Sequence, residues 1–380
     1  MTSKIDRKMR RAELVARLAE IWSRALRVSP VEPDNNFFDL GGDSLTAVGL
    51  FLEIERETGI SLPITTIYDA PTISALADVI ANGSAAPEFS PLVLLKPGND
   101  GAPLFIVHGI GGTVMELAAL GRAIRIVAPV YALQARGLDG RQPPLESIDD
   151  MAALYLDRVR ELQPEGPYRL SGYSFGGLVA LEMARRLMRE KQALVPPILI
   201  DAYAHPGTWP PVSRLKMNVR RTLHLSRQYA HAPLRVSIPL VLAQLGNVVR
   251  HRDPRTRLRD WLLDQKPDLP APLLRVREAG SIALARYAPR YYSGKIVFLK
   301  ASRPDPEFPD DPERIWHHLV QEMELQIVPG RHRTMVTDHV ASLAESLTAC
   351  VLASSGSASL PGLSSSAAST NKQYLEPQAV

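Results

Sequence analysis

From residue 104 to residue 328 the sequence alternates short apolar runs with stretches of helical periodicity, and that alternation leaves the chain few architectures. Leu104–Val107, Val130–Gln134, Arg169–Gly172, Pro197–Ile200, Lys295–Lys300 and Leu325–Val328 are the expected strands. Strands of this kind separated by helices imply a mostly parallel sheet with helices packed on it. Groups that act on a ligand then collect at the carboxyl edge of the sheet, where strands hand over to helices.

The most informative handover is Gly172-Tyr173-Ser174-Phe175-Gly176. Tyr168-Arg169-Leu170-Ser171 leads in as a strand, and Leu178, Leu181, Ala184, Leu187 and Met188 form one helical stripe beyond it. G-x-S-x-G in that context lifts a serine hydroxyl clear of the sheet, with glycine where the turn crowds its neighbours. A serine hydroxyl becomes a useful nucleophile once a histidine accepts its proton and a carboxylate fixes the histidine tautomer. Along the chain the expected order is serine, acid, histidine. Two acids qualify: Asp201 ends the strand Pro197–Ile200, and Asp305 follows the strand Lys295–Lys300. His332, after Leu325–Val328 and Pro329-Gly330, is the candidate base, whereas His339 falls in the next helix and reads as structural.

The loop His108-Gly109-Ile110-Gly111-Gly112 fails the spacing of G-x-G-x-x-G and of the phosphate-binding P-loop. It resembles instead the loop of hydrolases that lends a backbone N–H to an oxyanion hole, and the N–H groups of Ile110 and Phe175 are the candidate donors. Neither H-E-x-x-H nor a cysteine-based cluster occurs, so no metal is assigned.

A different unit precedes the sheet. In residues 10–82, Leu14, Leu18, Ile21, Trp22 and Leu26 recur at helical spacing. A loop rich in Pro, Asp, Asn and Gly follows, then a second helix from Asp43 with Leu45, Val48, Phe51 and Leu52 on its stripe. Short helices over Thr65–Tyr68 and Ile73–Ile80 complete a small all-α, four-helix domain able to fold alone. Around it, residues 1–9 form a basic arm and 83–95 a linker. Residues 96–352 make the sheet domain, with an arginine-rich helical insertion at about 205–290, and 353–380 a tail expected to be disordered.

These residues together resemble the carrier–thioesterase didomain of nonribosomal peptide and polyketide synthetases, over roughly residues 10–350. Asp39-Leu40-Gly41-Gly42-Asp43-Ser44-Leu45 is similar to the attachment motif of its carrier domain, and Pro329-Gly330-Arg331-His332 to its histidine loop. The resemblance implies that Ser44 carries 4′-phosphopantetheine, added by a separate phosphopantetheinyl transferase. It implies an α/β-hydrolase fold of the type I thioesterase kind, with a helical lid at 205–290. It also selects Asp201 over Asp305 as the acid. The implied activity is release of an acyl or peptidyl chain from its carrier thioester through an acyl-Ser174 intermediate, by hydrolysis or cyclisation. Upstream synthetase modules or a stand-alone loading enzyme would supply that chain. Ser3-Lys4-Ile5-Asp6-Arg7-Lys8 resembles the end of an adenylation domain, although no such domain accompanies it. The competing functions are an acyltransferase passing the chain to an external amine or alcohol, and a carrier or docking protein with an inactive hydrolase domain.

Bulk properties are consistent with this class. A net charge of +4 gives no reason to expect a nucleic-acid partner. The single cysteine, Cys350, excludes an intramolecular disulfide and fits a reducing cytoplasm. No window approaches the roughly 18 apolar residues of a membrane span, so a cytoplasmic protein is expected. Charge is unevenly divided: residues 12–85 hold 4 Arg and Lys against 11 Asp and Glu, and residues 205–290 hold 16 against 5. Opposite potentials of this kind favour encounter, and they predict that the acidic carrier docks near the basic lid.

Overall fold

The computed structural model describes residues 2–42, 44–60, 62–81, 89–204, 206–228, 269–305, 308–309 and 311–354. Four helices form the first unit: α1 (Thr2–Leu26), α2 (Ser44–Thr58), α3 (Thr66–Asp69) and α4 (Ile73–Ala81). Their apolar stripes converge, so that Leu18, Ile21, Trp22, Phe37, Leu50, Ile54, Ile67, Ile73 and Leu76 are wholly buried. Trp22 meets Phe37 edge to face at 5.5 Å between centroids. Exposed pairs of Arg24 with Glu53 and Glu57 join α1 to α2, and pairs of that kind contribute under about 1 kcal/mol each. Helix α1 runs through the segment expected to be an arm, because residues 2–26 contain no glycine or proline to stop it.

The second unit is a seven-stranded sheet in the order β1-β3-β2-β4-β5-β6-β7. Its strands are β1 (Leu92–Lys96), β2 (Leu104–Val107), β3 (Val130–Leu133), β4 (Arg169–Tyr173), β5 (Ile198–Ile200), β6 (Tyr292–Ala301) and β7 (Val320–Val328). All neighbours are parallel except β1 and β3. Strand β1 takes up the last residues of the segment expected to be a linker. Its Leu-Val-Leu-Leu run is short and follows Ser and Pro, which hid it in the sequence.

Side chains alternate across the sheet with the two-residue period of a strand. Leu104, Ile106, Ile198 and Ile200 face one layer, built from α5 (Met115–Ala123) and the last helix. Phe105, Val107, Leu170 and Leu199 face the other, built from α6 (Ile148–Leu162) and α7 (Phe175–Arg189). The inserted segment begins with α8 (Pro211–Gln228) and ends with α9 (Ala271–Arg286); residues 229–268 lie outside the described residues. A short α10 (Pro312–Trp316) precedes β7, and α11 (Val340–Ser354) closes the fold. Most of the expected tail lies outside the described residues. Among the described residues, no helix is long and apolar enough to cross a membrane.

Candidate active site

Ser174 sits between β4 and α7 with φ 54° and ψ −119°, a conformation that residues with a Cβ rarely adopt. Strain of this kind costs on the order of 1–3 kcal/mol. Hydrogen bonds from Ser174 N–H to the Ile200 carbonyl (2.8 Å) and from Gly177 N–H to the Ser174 carbonyl (3.0 Å) hold it. The turn closes because glycine flanks it. A Cβ on Gly172 would stand 2.1 Å from the Gly176 carbonyl oxygen, and one on Gly176 would stand 2.3 Å from that of His108.

Three residues separated in sequence meet here. His332 Nε2 lies 3.0 Å from Ser174 Oγ, and His332 Nδ1 lies 2.8 Å from Asp201 Oδ2. Asp201 and His332 are both buried. The other Asp201 oxygen accepts the Ala301 N–H at 3.3 Å and the Tyr203 hydroxyl at 3.4 Å, so the carboxylate is fixed from both ends. Asp305 takes no part in this chain of bonds: its carbonyl accepts the Phe308 N–H. His339 precedes α11, and its ring packs against Gly330.

The imidazole is also held face on. Phe308 stacks on His332 with 3.9 Å between centroids, and Tyr173 stacks at 5.1 Å, each at 23°. The Tyr173 hydroxyl donates to the His332 carbonyl at 2.9 Å. No local motif announces either partner, since Phe308 comes from the loop after β6 and Tyr173 is the variable residue of the serine motif.

The loop after β2 is braced from below. His108 Nδ1 lies 2.5 Å from the Gly109 carbonyl and Nε2 lies 2.7 Å from the Tyr155 hydroxyl. Burial pushes the His108 pKa down from 6.5 to about 4, so the ring is neutral. A carbonyl only accepts, which places the proton on Nδ1 and makes Nε2 the acceptor for Tyr155 O–H. Gly112 N–H donates to the same Gly109 carbonyl at 3.0 Å. A trans peptide sets N–H opposite C=O, so pinning the Gly109 carbonyl also fixes the direction of the Ile110 N–H. Phe175, the other candidate donor, opens α7 and stacks on His108 at 6.1 Å. Glu116, in the first turn of α5, lies against Gly109, where a Cβ would stand 2.4 Å from Glu116 Oε1; burial raises its carboxyl pKa, and the nearby Gly109 backbone and arginine charges oppose that.

The carrier unit packs against this region. Met115, Ala135, Leu138, Leu273 and Val276 join the apolar cluster of the four helices. Arg122 of α5 pairs with Asp39 at 3.4 Å and lies 5.7 Å over the Phe38 ring, which stacks on Tyr68 at 5.6 Å. The charge pair therefore falls on α5, while the lid contributes the apolar residues of α9; the most basic stretch of the lid lies outside the described residues. Ser44 opens α2 directly after a loop in which a Cβ on Gly42 would stand 2.3 Å from the Phe37 ring. A serine that opens a fifteen-residue helix fits a phosphodiester, because the first amides of a helix lack intrahelical partners. Trp209, near the start of the inserted segment, is buried with its indole N–H donating to the Ala204 carbonyl at 2.8 Å, which is a packing role.

Sheet, elbow and hydrogen-bonded serine, histidine and aspartate define an α/β-hydrolase. Residues 102–350 match the thioesterase domain family, and residues 16–80 match the phosphopantetheine attachment site. The chain belongs to the thioesterase domain family and carries a phosphopantetheine carrier domain ahead of it, the arrangement found in nonribosomal peptide synthetases. It is 38% identical over 186 residues to a dimodular nonribosomal peptide synthase of Bacillus subtilis (strain 168), covering 49% of this chain and 8% of that protein. It is 38% identical over 167 residues to the indigoidine synthase of Dickeya dadantii (strain 3937), covering 44% of this chain and 11% of that protein. The malpibaldin synthetase of Mortierella alpina is 30% identical over 288 residues, 75% of this chain and 5% of that one. The chain thus spans only a small part of the length of these relatives. Its fold is similar to that of holo-AB3403, a four-domain nonribosomal peptide synthetase crystallised with AMP and glycine. That likeness has a TM-score of 0.53 at 24% identity, over 88% of this chain and 26% of the other.

Two measurements probe the site's supports. Phe308→Leu removes one face of the stack on His332 and should lower kcat about ten- to a hundredfold with little change in KM. Steady-state kinetics on a soluble thioester reads this, and an unchanged kcat would show that the stack does not position the ring. For His108, an unfolded chain binds a proton as pH falls below 6.5, while the folded chain does not until about pH 4. The neutral ring therefore contributes its full stability above pH 6.5 and loses it between pH 6.5 and 4, by roughly 3 kcal/mol. Urea unfolding at successive pH values should show a steeper acid loss in the wild type than in His108→Gln; parallel curves would count against a neutral, buried ring.

Proposed function

We propose that this chain releases an acyl or peptidyl group held as a thioester on its own carrier domain, with Ser174 as nucleophile. The observation that carries this reading is the bonded series from Ser174 through His332 to Asp201, in a unit that packs directly against a carrier domain. It also favours a working enzyme over a docking protein with an inactive hydrolase domain.

Ser44 is the proposed attachment residue; when bound there, phosphopantetheine supplies a thiol that carries the chain as a thioester on a long flexible arm. Ser174 Oγ attacks the thioester carbonyl while His332 Nε2 takes its proton. Asp201 keeps His332 in the tautomer that can accept this proton and stabilises the imidazolium that results. The N–H groups of Ile110 and Phe175 meet the developing oxyanion, and losing one such donor costs about 3–4 kcal/mol in a transition state. His332 then returns the proton to the departing sulfur, leaving an ester on Ser174. In the second half His332 deprotonates water, or a nucleophile within the bound chain; attack on the ester breaks its bond to Ser174 Oγ, which takes the proton back from His332, and the product is a free acid, a lactone or a lactam. A phosphopantetheinyl transferase and an upstream module or loading enzyme are the partners this cycle requires.

Ser174→Ala should accumulate the loaded chain, and Ser44→Ala should take up no phosphopantetheine. Intact-protein mass spectrometry checks both, and undiminished release from Ser174→Ala would remove that residue from the mechanism. At the seam, the Arg122–Asp39 pair is partly exposed, so reversing either charge should slow release in cis only about two- to fivefold. The double reversal should recover most of the rate, as single-turnover measurement at low salt would show.

A further inference from the structure

The acid that bonds His332 stands on a strained turn, and aromatic side chains hold the residues that follow it. Asp201 has φ 45°, in the left-handed region that a residue with a Cβ occupies only where its surroundings impose it. Its N–H donates to the Leu299 carbonyl of β6 at 2.8 Å. Beyond it, Trp316 of α10 donates its indole N–H to the Ala202 carbonyl at 3.2 Å. Trp209 donates in the same way to the Ala204 carbonyl at 2.8 Å. Both tryptophans are buried. The backbone is thus pinned on each side of Tyr203.

Tyr203 is buried between these two pins and meets both supports of the imidazole. Its hydroxyl lies 3.4 Å from Asp201 Oδ1, while Oδ2 faces His332. Its ring lies 5.9 Å from that of Phe308, tilted by 36°, and Phe308 in turn stacks on His332. Phe298 of β6 at 5.4 Å and Trp209 at 6.3 Å close on the same ring. A buried O–H needs an acceptor, and here a carboxylate supplies one. A donor on Oδ1 also draws charge away from Oδ2, which sets how strongly the carboxylate attracts the Nδ1 proton.

We propose that Tyr203 is a positioning residue for the reaction at Ser174. It holds in one register the carboxylate that bonds His332 through Nδ1 and the Phe308 ring that stacks on its face. Through Trp209, which lies near the start of the inserted segment, it also ties that segment to the acid. The proposal rests on the thioester-release reading and deepens it by adding a residue that acts through Asp201 and Phe308.

Two readings on the full chain test it. The first is steady-state turnover of the N-acetylcysteamine thioester of hexanoate. Tyr203→Phe keeps the ring and removes the O–H. It should lower kcat about three- to tenfold with KM unchanged, the size of an ordinary hydrogen bond. Tyr203→Leu also removes the ring from Phe308 and should lower kcat about a hundredfold. The second reading needs no turnover: proton NMR, with the histidines isotope-labelled, of the far-downfield Nδ1 proton between His332 and Asp201. Without the Tyr203 hydroxyl the carboxylate keeps more charge for that proton, so its resonance should move further downfield in Tyr203→Phe. Tyr287→Phe, at the end of α9, removes another buried hydroxyl, one without a hydrogen-bond partner, and should leave both readings at wild-type values. Should Tyr203→Leu fold poorly, Tyr203→Phe decides the matter. A wild-type kcat and resonance in Tyr203→Phe would overturn the proposal, as would a change confined to KM. A fall in kcat with the resonance unmoved would overturn it too, since a general loss of packing gives that result. If the wild type turns over no thioester, the release reading fails, while the resonance still judges Tyr203.

Discussion

Chemistry at the carboxyl edge of this sheet depends on how closely α7 can approach β2 and β4. At Gly176 the helix backbone comes so near that a Cβ would stand 2.3 Å from the His108 carbonyl oxygen and 2.4 Å from that of Val107. At Gly172 the strand side of the same turn is as crowded. Only with both positions bare can Ser174 occupy its strained conformation and Phe175 start a helix immediately after it. The approach also brings Phe175 onto the His108 ring, so the two candidate oxyanion donors belong to elements that touch. A neutral His108 is part of the same device. A charged ring in that position would be buried without a counter-ion, and it would have no lone pair with which to accept from Tyr155.

Much of this was legible in the sequence, and the exceptions share a cause. The elbow at Ser174 shows itself locally, since a strand, two glycines and a helical stripe are contiguous. His332 follows from chain order once the strands are placed, whereas chain order leaves Asp201 and Asp305 both open and the family resemblance selects Asp201; the parallel sheet carries Asp201 and His332 to one edge. The support of the imidazole leaves no such trace. Phe308 lies in an irregular loop before α10, and nothing in its neighbours says that it will stack on a histidine 24 residues further on. Glu116 likewise looks like any acid in the first turn of a helix. Its position beside Gly109 appears only when α5 packs against the sheet. Strand β1 was missed for the opposite reason: its five residues have a clear apolar run, but the Ser and Pro ahead of them read as linker.

The charge distribution is the instructive case. Counting residues correctly separates an acidic carrier from a basic insertion, yet a count over a segment says nothing about which of its residues reach the seam. The contact that forms among the described residues joins Asp39 to Arg122 of α5, outside the insertion, and the insertion contributes Leu273 and Val276. Segment charge governs the approach of two bodies through a screened field that extends about 8–10 Å. Shape and apolar complementarity then decide which atoms touch.

A weak seam suits a carrier in such an arrangement. The ion pair is exposed and contributes little. Among the described residues the seam's apolar part is made by Met115, Ala135, Leu138, Leu273 and Val276 against the four helices. A carrier that receives its load from one partner and delivers it to another has to leave each of them, and a tightly held seam would slow that exchange. Covalent linkage removes the need for affinity, because a short tether holds the two units at an effective concentration in the mM range. Selectivity must then come from somewhere other than the strength of docking, and in the proposed reaction the groups placed to supply it are the oxyanion loop and the stacked histidine. In the proposed reaction that division would leave docking permissive and put discrimination at the step where a chain is either accepted by Ser174 or not.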